Sequence, residues 1–452
     1  MELIRKITKE FDIWLKGKEG LIVYGARQVG KTYIIKKYLK QNFKKVYYLN
    51  LHDNLYAITS IIKANNINTF LSILSLLSDV DIDNDTCIFI DEIQEYYTYL
   101  SKHPEIEQYF DIIYHTKTFA SEGKNRIVLS GSLLRLEMEN LITAPVGYLL
   151  KLEMFPLDFE EYLINSNINE NIISIVRECV RSNREVPDYI HKKFIDLFNE
   201  YILVGGMPSA VALFKENKNF KELRYEHAKI EGILVDDITK YALDNDKLKV
   251  REIYDLIPTE LSNPTRKFIL SDIPGHNKNN NEVLSFSWLN KAGISIPCYL
   301  TSEPLIPLIA NLKRNQFKLF FEDVGLLSYR MFNNETKLAI FNNEISVNLG
   351  FIFENFVAQE LHAHEYDNIY YYNSRKYGEV DFVIENGFKV LPIEVKSGRN
   401  NNYHRALNSI MNIDNYSLDK AYVLSHENVR VEGKIIYCPI YAVSFLEISK
   451  KM

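Results

Sequence analysis

The sequence predicts an α/β protein whose first section is a parallel sheet flanked by helices, followed by a helical middle and a second α/β section. Three observations predict it. A short apolar run, Leu21-Ile22-Val23-Tyr24, enters a glycine-bearing loop that opens a helical pattern. A second apolar run, Cys87-Ile88-Phe89-Ile90, ends in two acids. Around these, strand-like runs alternate with helical spacing, which implies a parallel sheet with ligands at the carboxyl ends of its strands.

Composition bounds the answer. A chain of 452 residues, 46% apolar and 25% charged, is expected to be soluble and to hold several domains. Without a long apolar run or a secretory signal at its start, it is expected to be cytoplasmic, with no membrane partner. The net charge of -6 does not itself advertise nucleic-acid binding, although a local basic patch is compatible with it. Cys87, Cys179, Cys298 and Cys438 are scattered without a CxxC pair, so neither a zinc site nor a disulfide framework is suggested.

The loop is Gly25-Ala26-Arg27-Gln28-Val29-Gly30-Lys31-Thr32, a full GxxxxGK[ST]. Its backbone N–H groups are expected to turn around phosphate oxygens, at the positive end of the following helix. Lys31 is assigned to the β and γ phosphates and Thr32 to Mg²⁺, which makes ATP and Mg²⁺ the expected cofactors. Chance would produce such a match on the order of 0.01 times in a chain of this composition. A strand is expected over 45–51 and a helical stretch over 56–77. Asp91 is then assigned to Mg²⁺ and Glu92 to activation of water, against the alternative of an ordinary acidic strand end. The run at 126–129 leads into Ser130-Gly131-Ser132; either serine is placed to sense the γ-phosphate, with a turn or helix cap as the alternative. Residues 148–152 complete the sheet.

Five motifs in order, GARQVGKT, IFIDEIQ, VLSGS, FPLDFEEYL and YILVGGMP, make the chain resemble prokaryotic AAA-type ATPases fused to a characteristic C-terminal domain. The resemblance implies a P-loop AAA-like sheet with a helical lid. Many members carry an arginine just before the last strand, where this chain reads Val146-Gly147-Tyr148. Any arginine finger is therefore expected from elsewhere, from a partner or a DNA-triggered rearrangement, with Arg27 and Arg135 as candidates within the chain.

Helical spacing over 155–206 ends at Val204-Gly205-Gly206-Met207-Pro208, a turn. Further helices, a polar stretch at 275–282 and the helical Ser287-Trp288-Leu289 run suggest a winged-helix-like element able to meet DNA or protein, with Lys267, Lys278 and Lys291 nearby. Domain limits are expected at 1–154, 155–215, 216–310 and 311–452.

The last section carries a second constellation. Glu354 shares a helical face with Val357, Ala358 and Leu361, with complementing the helix dipole in the first turn as the alternative. Asn386-Gly387 signals a hairpin. Pairing Glu385 with Phe388 would set Glu379 opposite Glu394, with Asp381 diagonal, and put Glu379, Asp381, Glu394 and Lys396 on one face. Glu354, Asp381 and Glu394-x-Lys396 form the pattern of a PD-(D/E)xK nuclease core, in which the carboxylates hold Mg²⁺ and the lysine positions water. The alternative is a solvated hairpin face neutralised by Lys396. The fold expected is therefore α/β, with a C-terminal restriction-endonuclease-like domain. DNA is the expected partner, with a protein partner or a homo-oligomer besides. The alternative function is an ATP-switched regulator whose end domain is inert.

Overall fold

A computed structural model describes residues 1–78, 81–123, 125–132, 147–242, 246–273, 283–345, 347–366, 368–398 and 404–447. Arg135, Lys278 and the stretch at 275–282 lie outside the described residues. The chain divides into two compact units, Arg5–Phe155 with Lys291–Gly293, and Met1–Ile4 with Pro156–Asn290 and Ile294–Met452.

The first unit runs α1 (Thr8–Lys16), β1 (Gly20–Tyr24), α2 (Lys31–Asn42), β2 (Val46–Asn50), α3 (Leu55–Ile62), α4 (Ile67–Ser78), β3 (Cys87–Asp91), α5 (Gln94–Lys102), α6 (Ile112–Glu122), β4 (Ile127–Gly131) and β5 (Leu149–Glu153). The strands stand in the order β2-β3-β4-β1-β5 and all pair in parallel. Ile88, Phe89 and Ile90 of β3 are wholly buried because helices cover both sheet faces, which is why this strand reads as an unbroken apolar run. The helical stretch expected over 56–77 is two helices, with Asn54 capping α3 through the Ala57 N–H. Asp111 caps α6 and also accepts from the Tyr97 hydroxyl at 2.8 Å.

The second unit continues with α7 (Phe159–Ile164), α8 (Glu170–Arg181), α9 (Asp188–Val204), α10 (Pro208–Asn217), α11 (Phe220–Tyr241), α12 (Lys247–Ser262), α13 (Val283–Lys291), β6 (Ser295–Thr301), β7 (Leu312–Phe321), α14 (Val324–Met331), α15 (Asn334–Phe341), α16 (Gly350–Ala363), β8 (Ile369–Ser374), β9 (Gly378–Asn386), β10 (Lys389–Val395), α17 (Arg405–Met411), β11 (Ala421–Ser425), β12 (Arg430–Glu432) and β13 (Ile435–Pro439). Its mixed sheet has the order β12-β13-β11-β10-β9-β8-β6-β7. β6, from the stretch expected to be winged-helix-like, pairs antiparallel with β7 and parallel with β8 in this sheet. The helices expected to form a lid cluster with this unit.

Two of these sequence motifs meet inside this unit, joined by the cap of α14. Asp158 of FPLDFEEYL caps α7 through the Glu161 N–H at 2.8 Å. The Leu157 carbonyl accepts from the Tyr201 hydroxyl at 2.6 Å, and the Leu157 N–H donates to Gly206 O at 2.7 Å. Asp323, the cap of α14, accepts from Gly206 N–H at 2.6 Å. Lys337, 2% exposed, donates to the Leu203 carbonyl at 2.8 Å, so the buried end of α9 has its orphan carbonyl satisfied by a side chain.

Candidate functional site

In the first unit the loop after β1 sits beside the neighbouring strand ends because β1 lies between β4 and β5. Gly25 has φ 139°, and a Cβ there would collide with the Met154 carbonyl; Gly30, with φ 92°, caps α2 in the left-handed region. Both positions need glycine for backbone reasons. Lys31 opens α2, is 5% exposed, and donates to the Gly25 and Ala26 carbonyls at 3.0 and 2.7 Å. Arg5 braces the loop from outside, donating to Val29 O at 2.8 Å and to Phe155 O at 2.6 Å.

Asp91, 1% exposed, is surrounded by hydroxyls. Thr32 Oγ1 donates to its Oδ2 at 2.7 Å, Tyr48 to the same oxygen at 3.1 Å, and Ser130 to Oδ1. Burial, and then the Asp91 charge, push the Tyr48 phenol up, so it remains a donor. Glu92 follows in a left-handed conformation, φ 57°, with Gln94 donating to its Oε2 and Ser132 3.4 Å from that oxygen. Thr32, Asp91, Glu92 and Ser130 therefore meet at the strand ends with the loop. The serines bond the two carboxylates, Ser130 to Asp91 and Ser132 to Glu92. Thr32 and Asp91 present hard oxygen donors within hydrogen-bond reach of each other, a donor set that suits Mg²⁺. Tyr48 and Arg5 were missed in the sequence. Tyr48 lies on β2, and its nearness to Asp91 follows from β2 pairing with β3, which spacing along the chain does not announce.

In the second unit the expected hairpin register is corrected. Asn386 pairs with Lys389 and Phe382 with Ile393, so the turn is Gly387-Phe388, and the ladder continued by one step sets Asp381 rather than Glu379 opposite Glu394. Gly387, at φ 61°, takes the first turn position, and Phe388 in the second is fully exposed. A net register change of two preserves the faces. The acids are not a solvated face: Asp381 and Glu394 are 8% and 7% exposed, and Glu354 is buried on a helix enclosed on nearly every side.

Asp381 accepts from the Val395 N–H at 2.8 Å. Glu394 Oε1 meets Lys396 Nζ at 2.7 Å, while its buried Oε2 has no hydrogen-bond partner. Burial first, then Asp381, push the Glu394 carboxyl well above the carboxylate range. A cavity of about 560 Å³ is walled by Arg266, Gly350, Asp381, Glu394, Lys396 and Ser397 among others. Glu354 faces cations instead: Lys318 Nζ lies 3.3 Å from Oε2, and the Arg266 guanidinium is ion-paired with Oε1. Lys318 also pairs with Glu379 at 2.8 Å, and Lys267 lies 3.8 Å from Glu379. Among the described residues no three acidic, histidine or cysteine side chains converge as a ready metal-ligand set. Asp381 and Glu394 suit a hard cation as two oxygen donors, and Glu354 is held apart by its pairs. Lys318 and Arg266 were missed, although a lysine inside the apolar strand run at 318–321 was the available signal.

The glycine loop, the parallel sheet around β1 and the hydroxyl-held aspartate define a P-loop nucleotide-binding domain. Residues 17–163 match the family model described as AAA domain, so the chain carries an AAA-type ATPase domain there. Residues 195–337 and 349–443 match two models described as domains of unknown function, DUF8612 and DUF4143. The uncharacterized protein MJ1544 of Methanocaldococcus jannaschii is 25% identical over 395 residues, 85% of this chain and 77% of that protein. Among solved structures, the chain is similar to the Walker-type ATPase PABY2304 of Pyrococcus abyssi, with TM-score 0.41 and 13% identity over 73% of this chain and 96% of the other. It is also similar to the Aeropyrum pernix ORC1 protein in complex with DNA, with TM-score 0.30 and 13% identity over 75% and 93%. No helix among the described residues is long and apolar enough to cross a membrane.

Proposed function

We propose that the first unit binds and hydrolyses ATP with Mg²⁺, and that the chain acts on DNA through a phosphodiester-cutting centre in the second unit. The convergence of Lys31, Thr32, Asp91, Glu92 and Ser130 at one edge of the parallel sheet carries the first part. Loop amides and the start of α2 grip the polyphosphate. The Lys31 ammonium exchanges the Gly25 and Ala26 carbonyls for β and γ oxygens. Thr32 and Asp91 would hold Mg²⁺, which when bound neutralises charge on the phosphates. Glu92, steered by Gln94, takes a proton from water as the water oxygen bonds to the γ phosphorus and the bond to the β–γ bridging oxygen breaks. Calorimetry tests the site: Lys31→Ala is expected to lose ATP binding. Glu92→Gln is expected to bind as wild type and turn over roughly 100- to 10,000-fold more slowly. Wild-type turnover in Glu92→Gln would reassign the base.

Asp381, Glu394 and Lys396 around one cavity support the second part. The two carboxylates would hold a divalent cation, which when bound stabilises charge on a phosphodiester and acidifies water; Lys396 orients that water. Plasmid and single-stranded DNA are incubated with Mg²⁺ or Mn²⁺; cleavage lost in Asp381→Ala is expected, and cleavage unchanged in that variant sinks the reading. The neutralisation of Glu354 by Lys318 and Arg266 favours a second reading, an ATP-switched DNA- or protein-binding regulator with an inert end domain. ATP-dependent DNA binding without cleavage selects it.

A further inference from the structure

Glu354 is held by two cations of different standing. Lys318 is wholly buried on β7, between Glu354 and Glu379, and has no route out without unpacking the strand. Arg266 is on the turn after α12, with 24% of its side chain exposed, and walls the cavity that also contains Asp381 and Glu394. Its backbone is left-handed, φ 49°, in a turn closed by its own N–H to Asn263 O at 3.0 Å. A non-glycine residue is kept in that conformation only by its surroundings. Gly350, at the start of the helix that carries Glu354, leaves space for the guanidinium: a Cβ there would meet Arg266 Nη2 at 2.6 Å. On another wall of the same cavity, Glu394 Oε2 is buried without a hydrogen-bond partner.

We propose that Arg266 is a removable gate on this centre: seated against Glu354 it stands in for a divalent cation, and its withdrawal lets Glu354, Asp381 and Glu394 close around Mg²⁺ or Mn²⁺. The proposal rests on the reading of this centre as a metal site and adds its regulation. Lys318 holds Glu354 Oε2 while Arg266 holds Oε1, so a metal ion would compete with the guanidinium for Oε1 and be repelled by it at close range. Arg266 belongs to the stretch matching one domain of unknown function and Glu354 to the stretch matching another, so the gate joins two segments about ninety residues apart. Lys318 stays in place in both states and keeps Glu379 neutralised.

The test is Mn²⁺ titration of the full chain without nucleotide, read by electron paramagnetic resonance. Wild type, Arg266→Ala and Arg266→Gln are compared, each with and without Asp381→Ala, after melting curves show that each is folded. Both Arg266 variants are expected to bind Mn²⁺ at least about tenfold more tightly than wild type, with the gain lost in the Asp381→Ala background. Equal, Asp381-dependent affinity in wild type and both variants overturns the gate and leaves the metal centre standing. Absence of any Asp381-dependent binding in all three overturns the centre, and the gate with it. The glutamine variant keeps most of the side-chain volume and separates loss of charge from loss of packing.

Discussion

Asp91 and Glu354 are both carboxylates buried beside a sheet, yet the protein compensates them in opposite ways. Around Asp91 stand the hydroxyls of Thr32, Tyr48 and Ser130, which are neutral donors. Around Glu354 stand Lys318 and Arg266, which are full cations. Neutral donors hold a carboxylate in place without cancelling its charge, so the first arrangement retains attraction for an incoming cation. Protein cations cancel the charge, so the second must release one before a metal can enter. Placement of acids alone therefore does not distinguish a poised metal site from a closed one.

Removing the buried cation is the largest blow to this contrast. Lys318→Met leaves Glu354 and Glu379 without their shared partner and is expected to cost about 3–5 kcal/mol in chemical denaturation followed by a probe in the second unit. A loss below about 1 kcal/mol would mean that the carboxylates are stabilised by something else.

Lys337 sharpens the contrast from the side of a buried lysine bonded to a carbonyl. Burial, reinforced by Arg224, lowers its pKa to about 7 against an ordinary 10.5, opposed by Asp323. Between pH 7 and 10.5 the unfolded chain binds the proton that the folded chain lacks, so this contribution to stability grows as pH rises and is lost as pH falls towards 7. The slope is on the order of 1 kcal/mol per pH unit. Lys337→Met should flatten the rise in melting temperature from pH 7 to 9, and an unchanged slope would place the proton elsewhere.

The smallest effect is expected from Tyr48→Phe, which removes one of three hydroxyls from Asp91. ATP turnover should fall by no more than about tenfold, with a higher Mg²⁺ requirement, as suits a single hydrogen bond to a charged group. A loss as deep as that of Glu92→Gln would make Tyr48 part of the chemistry rather than a support.

The glycine loop and Asp91-Glu92 were legible because each is a contiguous run whose chemistry depends on near neighbours. Asp381, Glu394 and Lys396 were legible as one face because side-chain direction repeats every two residues, and it survived a register that slid by two. The register did not, since it depended on whether Asn386-Gly387 or Gly387-Phe388 turned the chain. FPLDFEEYL and YILVGGMP were visible as motifs, but their work, satisfying one another's buried backbone groups, appears only when Leu157, Gly206 and Asp323 are seen together.

The sequence by itself determined where a polyphosphate loop forms, which strand ends carry acids and which residues alternate towards one face, because periodicity and local backbone geometry act over a few residues. Only the tertiary structure decided which groups neutralise those acids. Tyr48 reaches Asp91 from 43 residues away, and Lys318 reaches Glu354 from 36. Electrostatic compensation depends on distance through space and on burial, and neither is written in spacing along the chain.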